Sequence, residues 1–262
     1  LRQLELESGR GSFEEGPPIN VDLDGLVVSD GITLAPFRGQ LQRGRAGLSG
    51  SFKARVNGKT PVTGTLAPAR GGTAVRLQSV DAGGVIRDAG LSPNARGGTL
   101  DLILTPVDGA RGGVYDGQFL VEDIRVRNAP AIAGLLDAVS VVGLLDQLDG
   151  PGILFDEVDG QFRLTRSRLI LRQAAAVGGS LGISADGIYD LAGKQMDFSG
   201  VVSPIYFLNG FGSVLTRRGE GLFGFTYRVT GTAEEPQVGV NPLSILTPGM
   251  FREIFRRRPP GE

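Results

Sequence analysis

The chain has 262 residues with 27 Lys+Arg against 28 Asp+Glu, so it has no net field to draw in nucleic acid, and no basic stretch interleaved with aromatics supplies a local one. The absence of His and Cys removes the usual general base, the commonest metal ligand, thiol catalysis, thiolate metal sites and disulfides together. Gly 42 and Pro 15 argue for many turns and bent strands, within a length that fits one large β domain or two smaller ones.

The opening LRQLELESGR has no initiator Met, no charged n-region and no apolar h-region, so we expect a piece of a longer protein with any membrane anchor upstream of Leu1. Residues 8–18, SGRGSFEEGPP, are polar and rich in Gly and Pro, and 1–18 reads as a flexible link. From 19 to 127, period-2 alternation recurs in INVDLDGLVV, GSFKARVNG, TAVRLQSV, GGTLDLILTPV and GGVYDGQFLVEDIRV. Asp22 and Asp24 share a face in the first of these and read as solvated, since no Asp-rich calcium frame surrounds them. In the last, the apolar set Tyr115, Phe119, Val121 switches to Ile124 and Val126, which predicts a β-bulge near Glu122 and Asp123.

The second part, 128–262, begins with a helical insertion. Asn128 is the expected cap, Pro130 suits the first turn, and the run ends by about Leu148 before Gly150-Pro151-Gly152. Unbroken, that helix would place Asp146 on the face of Ile132, Leu136 and Val139, so a break near Ser140 to Gly143 is expected. Asp137 and Asp146 also speak against a membrane crossing.

Strand patterning then resumes in GILFDEVDGQFRL, SRLILRQAAAV, SLGISADGIYDL, KQMDFSGVV and GLFGFTYRVTGT, with links short enough for an antiparallel meander. In the last, Phe223, Phe225, Tyr227 and Val229 take one face while Gly224, Thr226, Arg228 and Thr230 take the other. Of seven Asp-Gly pairs, those ending in Gly25, Gly117, Gly160 and Gly187 fall inside alternating runs, where Gly permits sharp bending. The fold class that follows is mainly β: a curved antiparallel sheet with one or two short inserted helices and a C-terminal amphipathic helix.

That last helix is expected at about 248–258, capped by Thr247, started by Pro248 and stopped by Pro259. Met250, Phe251, Ile254 and Phe255 share one side, and Arg252, Glu253, Arg256 and Arg257 the other. So short a helix is marginal alone and needs a surface to lie on.

Gly178-x-Ser180-x-Gly182 has the spacing of a nucleophile elbow. With no His to take the serine proton and only Lys53, Lys59 and Lys194 as other amines, it reads as a Gly-rich strand edge. GFGSVL lacks the third glycine and the acidic partner of a dinucleotide site. No enzyme, cofactor or metal is expected.

From Val21 onward the segments resemble, in order, the C-terminal region of the AsmA-like family of Gram-negative envelope proteins, particularly its large YhdP-like members. The resemblance rests most on ADGIYDLAGKQMDFSGVVSPIYFLNGFGSV and GEGLFGFTYRVTGTAEEPQVGVNPLSILTPGMFREIF, including Pro204, Gly231, the run Asn241-Pro242-Leu243-Ser244 and Pro248-Gly249. It implies a periplasmic segment, tied to the inner membrane by an upstream anchor, whose curved apolar groove shields phospholipid on its way between inner and outer membranes. Envelope proteins are further possible partners under that resemblance. On this reading Phe119, Val121, Ile183, Tyr189, Phe223, Phe225, Tyr227 and Val229 line the groove. Met250, Phe251, Ile254, Phe255, Arg256 and Arg257 meet the inner- or outer-membrane surface, apolar side chains in the interface and arginines on anionic headgroups. The rival expectation is a non-transporting structural or outer-membrane assembly-assisting module, whose 130–148 segment plugs the sheet.

Overall fold

The computed structural model describes residues 16–29, 31–44, 47–110, 113–139, 142–203, 224–232 and 234–241, with the side chains of 142 and 143 excepted. In chain order the elements are β1 (Ile19–Leu23), β2 (Leu26–Ser29), β3 (Ile32–Leu34), β4 (Phe37–Gly44), β5 (Gly47–Val56), β6 (Thr60–Ala69), β7 (Gly72–Ser79), α1 (Ala82–Asp88), β8 (Ala95–Arg96), β9 (Thr99–Pro106) and β10 (Tyr115–Val126). There follow α2 (Pro130–Ala138), α3 (Val142–Asp149), β11 (Ile153–Leu164), β12 (Arg168–Val177), β13 (Gly182–Asp190), β14 (Gln195–Ser203), β15 (Phe225–Gly231) and β16 (Pro236–Asn241).

All sixteen strands belong to one antiparallel sheet with the order β1-β4-β5-β6-β7-β9-β10-β11-β12-β13-β14-β15-β16, while β2, β3 and β8 lie off that path. Its two ends do not pair among the described residues, so the sheet is not closed into a barrel. Tight turns keep neighbours in sequence adjacent in space. Between β5 and β6, Asn57 (φ 48) and Gly58 (φ 76) form the centre of a turn closed by Lys59 N donating to Val56 O at 3.0 Å, the left-handed geometry that suits a hairpin. The strands on either side of residue 128 pair along their length, from Tyr115 opposite Leu164 to Val126 opposite Ile153. Both halves of the chain therefore build the same sheet.

The insertion between β10 and β11 is a pair of short helices: α2 ends at Ala138 and α3 starts at Val142, the split the Asp146 conflict asks for, with Leu144 and Leu148 buried and Asp146 exposed. Asn128 is not its cap. Ala129 holds that position in an extended conformation without a side-chain bond, while Asn128 (φ 42) donates its amide to Leu148 O at 3.2 Å and so ties the two ends of the insertion together.

The insertion also reports the curvature. Gly134 on α2 lies so near β16 that a Cβ there would sit 2.9 Å from Val238 Cγ2. Strand spacing of ~4.8 Å puts β16 about 29 Å from β10 in a flat sheet, whereas the nine residues of α2 reach ~14 Å. The sheet has to curl around the helices.

The apolar phase of β10 does switch between Val121 and Ile124, with Asp123 at φ 56, but no bulge is inserted. Glu122 lies opposite Glu157 and Ile124 opposite Phe155, so register continues unbroken. β11 changes phase at the same level, from Phe155 to Val158, and two matched changes cancel. The register shifts fall along β12 instead, opposite Gln161/Phe162 and between Leu171 and Ala174.

Candidate functional site: an apolar trough

Cross-strand registers join side chains on the helix-bearing face into rows that cross the whole sheet. One row reads Val21, Gly39, Phe52, Gly64, Leu77 and Leu102 from β1 to β9. It continues as Phe119, Gly160, Ala174, Ala185, Gly200, Tyr227 and Val240 from β10 to β16. The next row, two residues along each strand and three along β12 at its register shift, runs from Ile19 and Leu41 through Leu104, Gly117, Phe162 and Leu171 to Phe198, Val229 and Val238. Apart from the Tyr227 hydroxyl, neither row carries a polar side-chain atom. At ~4.8 Å per strand, the thirteen strands of the path give a floor about 58 Å long measured along the curve.

The strand glycines have a specific place in that floor. Each large aromatic of the two rows has a glycine directly opposite on a neighbouring strand: Phe52 with Gly64, Phe162 with Gly117, Phe119 with Gly160, Phe198 with Gly187, Tyr227 with Gly200. A Cβ at Gly64 would lie 2.1 Å from the Phe52 ring, and one at Gly117 2.2 Å from the Phe162 ring. The rings thus lie over glycine backbone, covering it and leaving the curled side uncrowded. Three in-strand Asp-Gly pairs serve this arrangement, with Gly117, Gly160 and Gly187 on the trough side; Gly25, also expected inside a strand, falls between β1 and β2.

The opposite face carries the ion pairs, and it is buried around Ala175, Ser184, Val201 and Thr226. Arg76 grips Asp101, Arg163 Nε and Nη2 donate to Asp116 at 2.9 and 3.1 Å, and Arg228 to Asp197 at 2.8 and 2.7 Å. Hydrogen bonds from Arg76 and Arg163 hold the Asp101 and Asp116 carboxyls below their ordinary values, against a smaller opposing effect of burial.

Among the described residues, the trough is filled at one end of the strands and uncovered at the other. Where β10 passes into α2, Leu135, Leu136, Leu144 and Leu148, 0–9% exposed, pack with Val121, Val202, Tyr227 and Val229 in one core. At the same end of the N-terminal half, Val85 of α1 and Leu77 of β7 pack against the core of Phe52, Ala54 and Val62. Outside both cores lie Leu104, Leu164, Leu169, Leu171, Tyr189 and Phe198, all half-buried apolar groups on the same face. Burial, and secondarily the Glu234 carboxylate, push the Tyr189 phenol above its ordinary value.

The expected lining residues therefore divide. Val121, Tyr227 and Val229 are buried in the filled end, where Phe119, Ile183 and Phe225 pack partly buried against the same core; Tyr189 lies in the uncovered section. The Tyr227 hydroxyl donates to Ser184 O at 2.8 Å and is spent inside the sheet. Phe223, the expected helix at 248–258 and its Met250, Phe251, Ile254, Phe255, Arg256 and Arg257 lie outside the described residues. Leu104, Leu171 and Phe198 were not singled out beforehand, because alternation assigns a side chain to a face and not to a position along the trough.

The other motifs settle into structural places. Ser180 sits in the turn between β12 and β13, its hydroxyl 3.5 Å from Gln147 Oε1 on α3, and Gly178 is required there because a Cβ would lie 2.2 Å from Leu154 O. Asp22 pairs with Arg38 at 3.2 Å on the exposed face. Among the described residues, no His/Cys/Asp/Glu group could hold a metal ion, and no helix is long and apolar enough to cross a membrane. Comparison with family models, curated proteins and solved structures gives no match, so the functional reading rests on the trough itself.

Proposed function

We propose that the protein is a lipid-carrying segment whose uncovered trough shields phospholipid acyl chains from water, passively and without catalysis. The supporting observation is the pair of apolar rows crossing every strand of the path, with Leu104, Leu171 and Phe198 outside the helix-packed cores. Each CH₂ withdrawn from water there contributes ~0.8 kcal/mol, so a smooth apolar floor needs few specific polar contacts to hold a chain. In the setting implied by the AsmA-like resemblance, it works in the periplasm, continuous with an upstream inner-membrane anchor, carrying phospholipid between inner and outer membranes. Mass spectrometry of natively extracted protein tests this: bound phospholipid is the expected result, and its consistent absence contradicts the proposal.

A second reading, a structural or assembly-assisting envelope module, draws support from the filled end, where α2 and α3 cover part of the apolar face. It requires the uncovered section to carry no ligand. Leu104→Arg with Leu171→Arg separates the two: retained lipid falls under the first reading and envelope integrity is unchanged under the second.

A further inference from the structure

We propose that the outer surface at the filled end carries a phosphate-binding site built from Arg87, Arg96, Arg125 and Arg127, independent of lipid uptake by the trough. Arg96 on β8 and Arg125 on β10 are direct cross-strand partners, so two like charges leave the same face side by side, a pairing that sheets ordinarily avoid. Arg127, two residues beyond Arg125, extends the row. Gly152 (φ 91) makes room for both: a Cβ there would lie 2.9 Å from Arg125 Cγ and 2.7 Å from Arg127 Cγ.

Shared carbonyls then draw the guanidiniums together. Pro151 O accepts from Arg125 Nη1 at 3.4 Å and from Arg127 Nε at 3.0 Å. Ala95 O accepts from both Arg87 Nη1 and Arg96 Nη1. Gly152 O and Pro93 O take further bonds from Arg125 and Arg96 at 3.2 and 2.8 Å. Carbonyls position these groups but do not neutralise them. Among the described residues the four make one ion pair, Arg87 Nη2 to Asp81 Oδ2 at 3.9 Å. Glu122 and Asp123 precede Arg125 on β10 without pairing to it, and Glu122 accepts from Thr99 Oγ1 at 3.3 Å instead.

The cluster thus presents planar forks with Nε and Nη2 of Arg96 and Arg125 still unengaged among the described residues. A phosphate group matches it: oxygens for bidentate bonds, and more than one negative charge to offset several arginines at once. The group could belong to a soluble phosphate compound or to the headgroup of an acidic phospholipid.

Calorimetric titration of the full chain with inorganic phosphate, and flotation with phosphatidylcholine vesicles with or without phosphatidic acid, test the site and separate the sources. Binding in the first arm assigns a soluble phosphate; binding only to the phosphatidic acid vesicles assigns a headgroup; either supports the site. In the responding arm, R96Q/R125Q lowers affinity at least about tenfold, and R125K, which keeps the charge and loses the fork, falls between. The Tm of R96Q/R125Q equals or exceeds that of the unmodified protein, because a like-charge pair is removed. If the double variant is instead destabilised, R127Q, at an exposed position, supplies the same comparison. No binding in either arm, or binding unchanged by these substitutions, overturns the site.

Discussion

Gly200 shows most sharply what the curled sheet asks of single residues. A Cβ there would lie 1.8 Å from Ser184 O and 3.0 Å from the Tyr227 hydroxyl, so the strand next door and the ring above it both occupy the space. Gly200→Ala should cost about 1–3 kcal/mol in urea unfolding, the range for overpacking that forces a backbone shift. Gly179→Ala, with nothing within 4 Å, should stay within about 0.5 kcal/mol. On the face opposite the trough, Asp116 is held below its ordinary value chiefly by Arg163, with Arg172 adding a smaller attraction. A carboxyl depressed by folding stabilises the protein above its unfolded value near ~3.9 and loses that contribution as pH falls through the folded value. Asp116→Asn should therefore cost up to about 1 kcal/mol at neutral pH, with the gap to the parent narrowing in acid below the ordinary carboxylate range. Paired unfolding curves at neutral and acid pH check this.

Among the elements, the α2–α3 insertion sets how much of the trough is protein interior. Leu136 and Leu148 are 0% exposed, and Leu→Ala at either should cost about 2–5 kcal/mol in unfolding measurements. The position of a Gly134 Cβ lies 3.4 Å from Val238 Cβ, just below the usual ~3.5–4.5 Å disulfide range. In a chain with no cysteine of its own, G134C/V238C should cross-link on oxidation, read as a shift on non-reducing gels, and leave lipid retention intact because α2 belongs to the filled end. The break in this insertion was legible in the sequence, since an unbroken apolar stripe would have carried Asp146 into the core. α1 was not. Its Gly83 and Gly84 lower helix propensity, yet a Cβ at Gly83 would lie 2.6 Å from Arg96 Cα, so close packing on β8 outweighs propensity. β6 was hidden by Pro61 and Pro68, residues that usually exclude a strand from a sheet interior.

For the whole molecule, composition and alternation were enough to read a bent antiparallel sheet with one apolar face, while register was not. A period of two assigns Val121 and Tyr227 to a face and says nothing of where along it the helices dock. Cross-strand pairing supplies that second coordinate, and it moves the uncovered section toward Leu104, Leu171 and Phe198. The most direct measurement is photo-cross-linking in cells, with a photoreactive residue placed singly at Leu104, Leu171 or Phe198 and, on the opposite face, at the paired Gln118 and Gln161. Phospholipid adducts at the three trough positions and none at the two glutamines are expected; adducts missing from the trough, or equally frequent on both faces, would contradict a lipid-carrying groove.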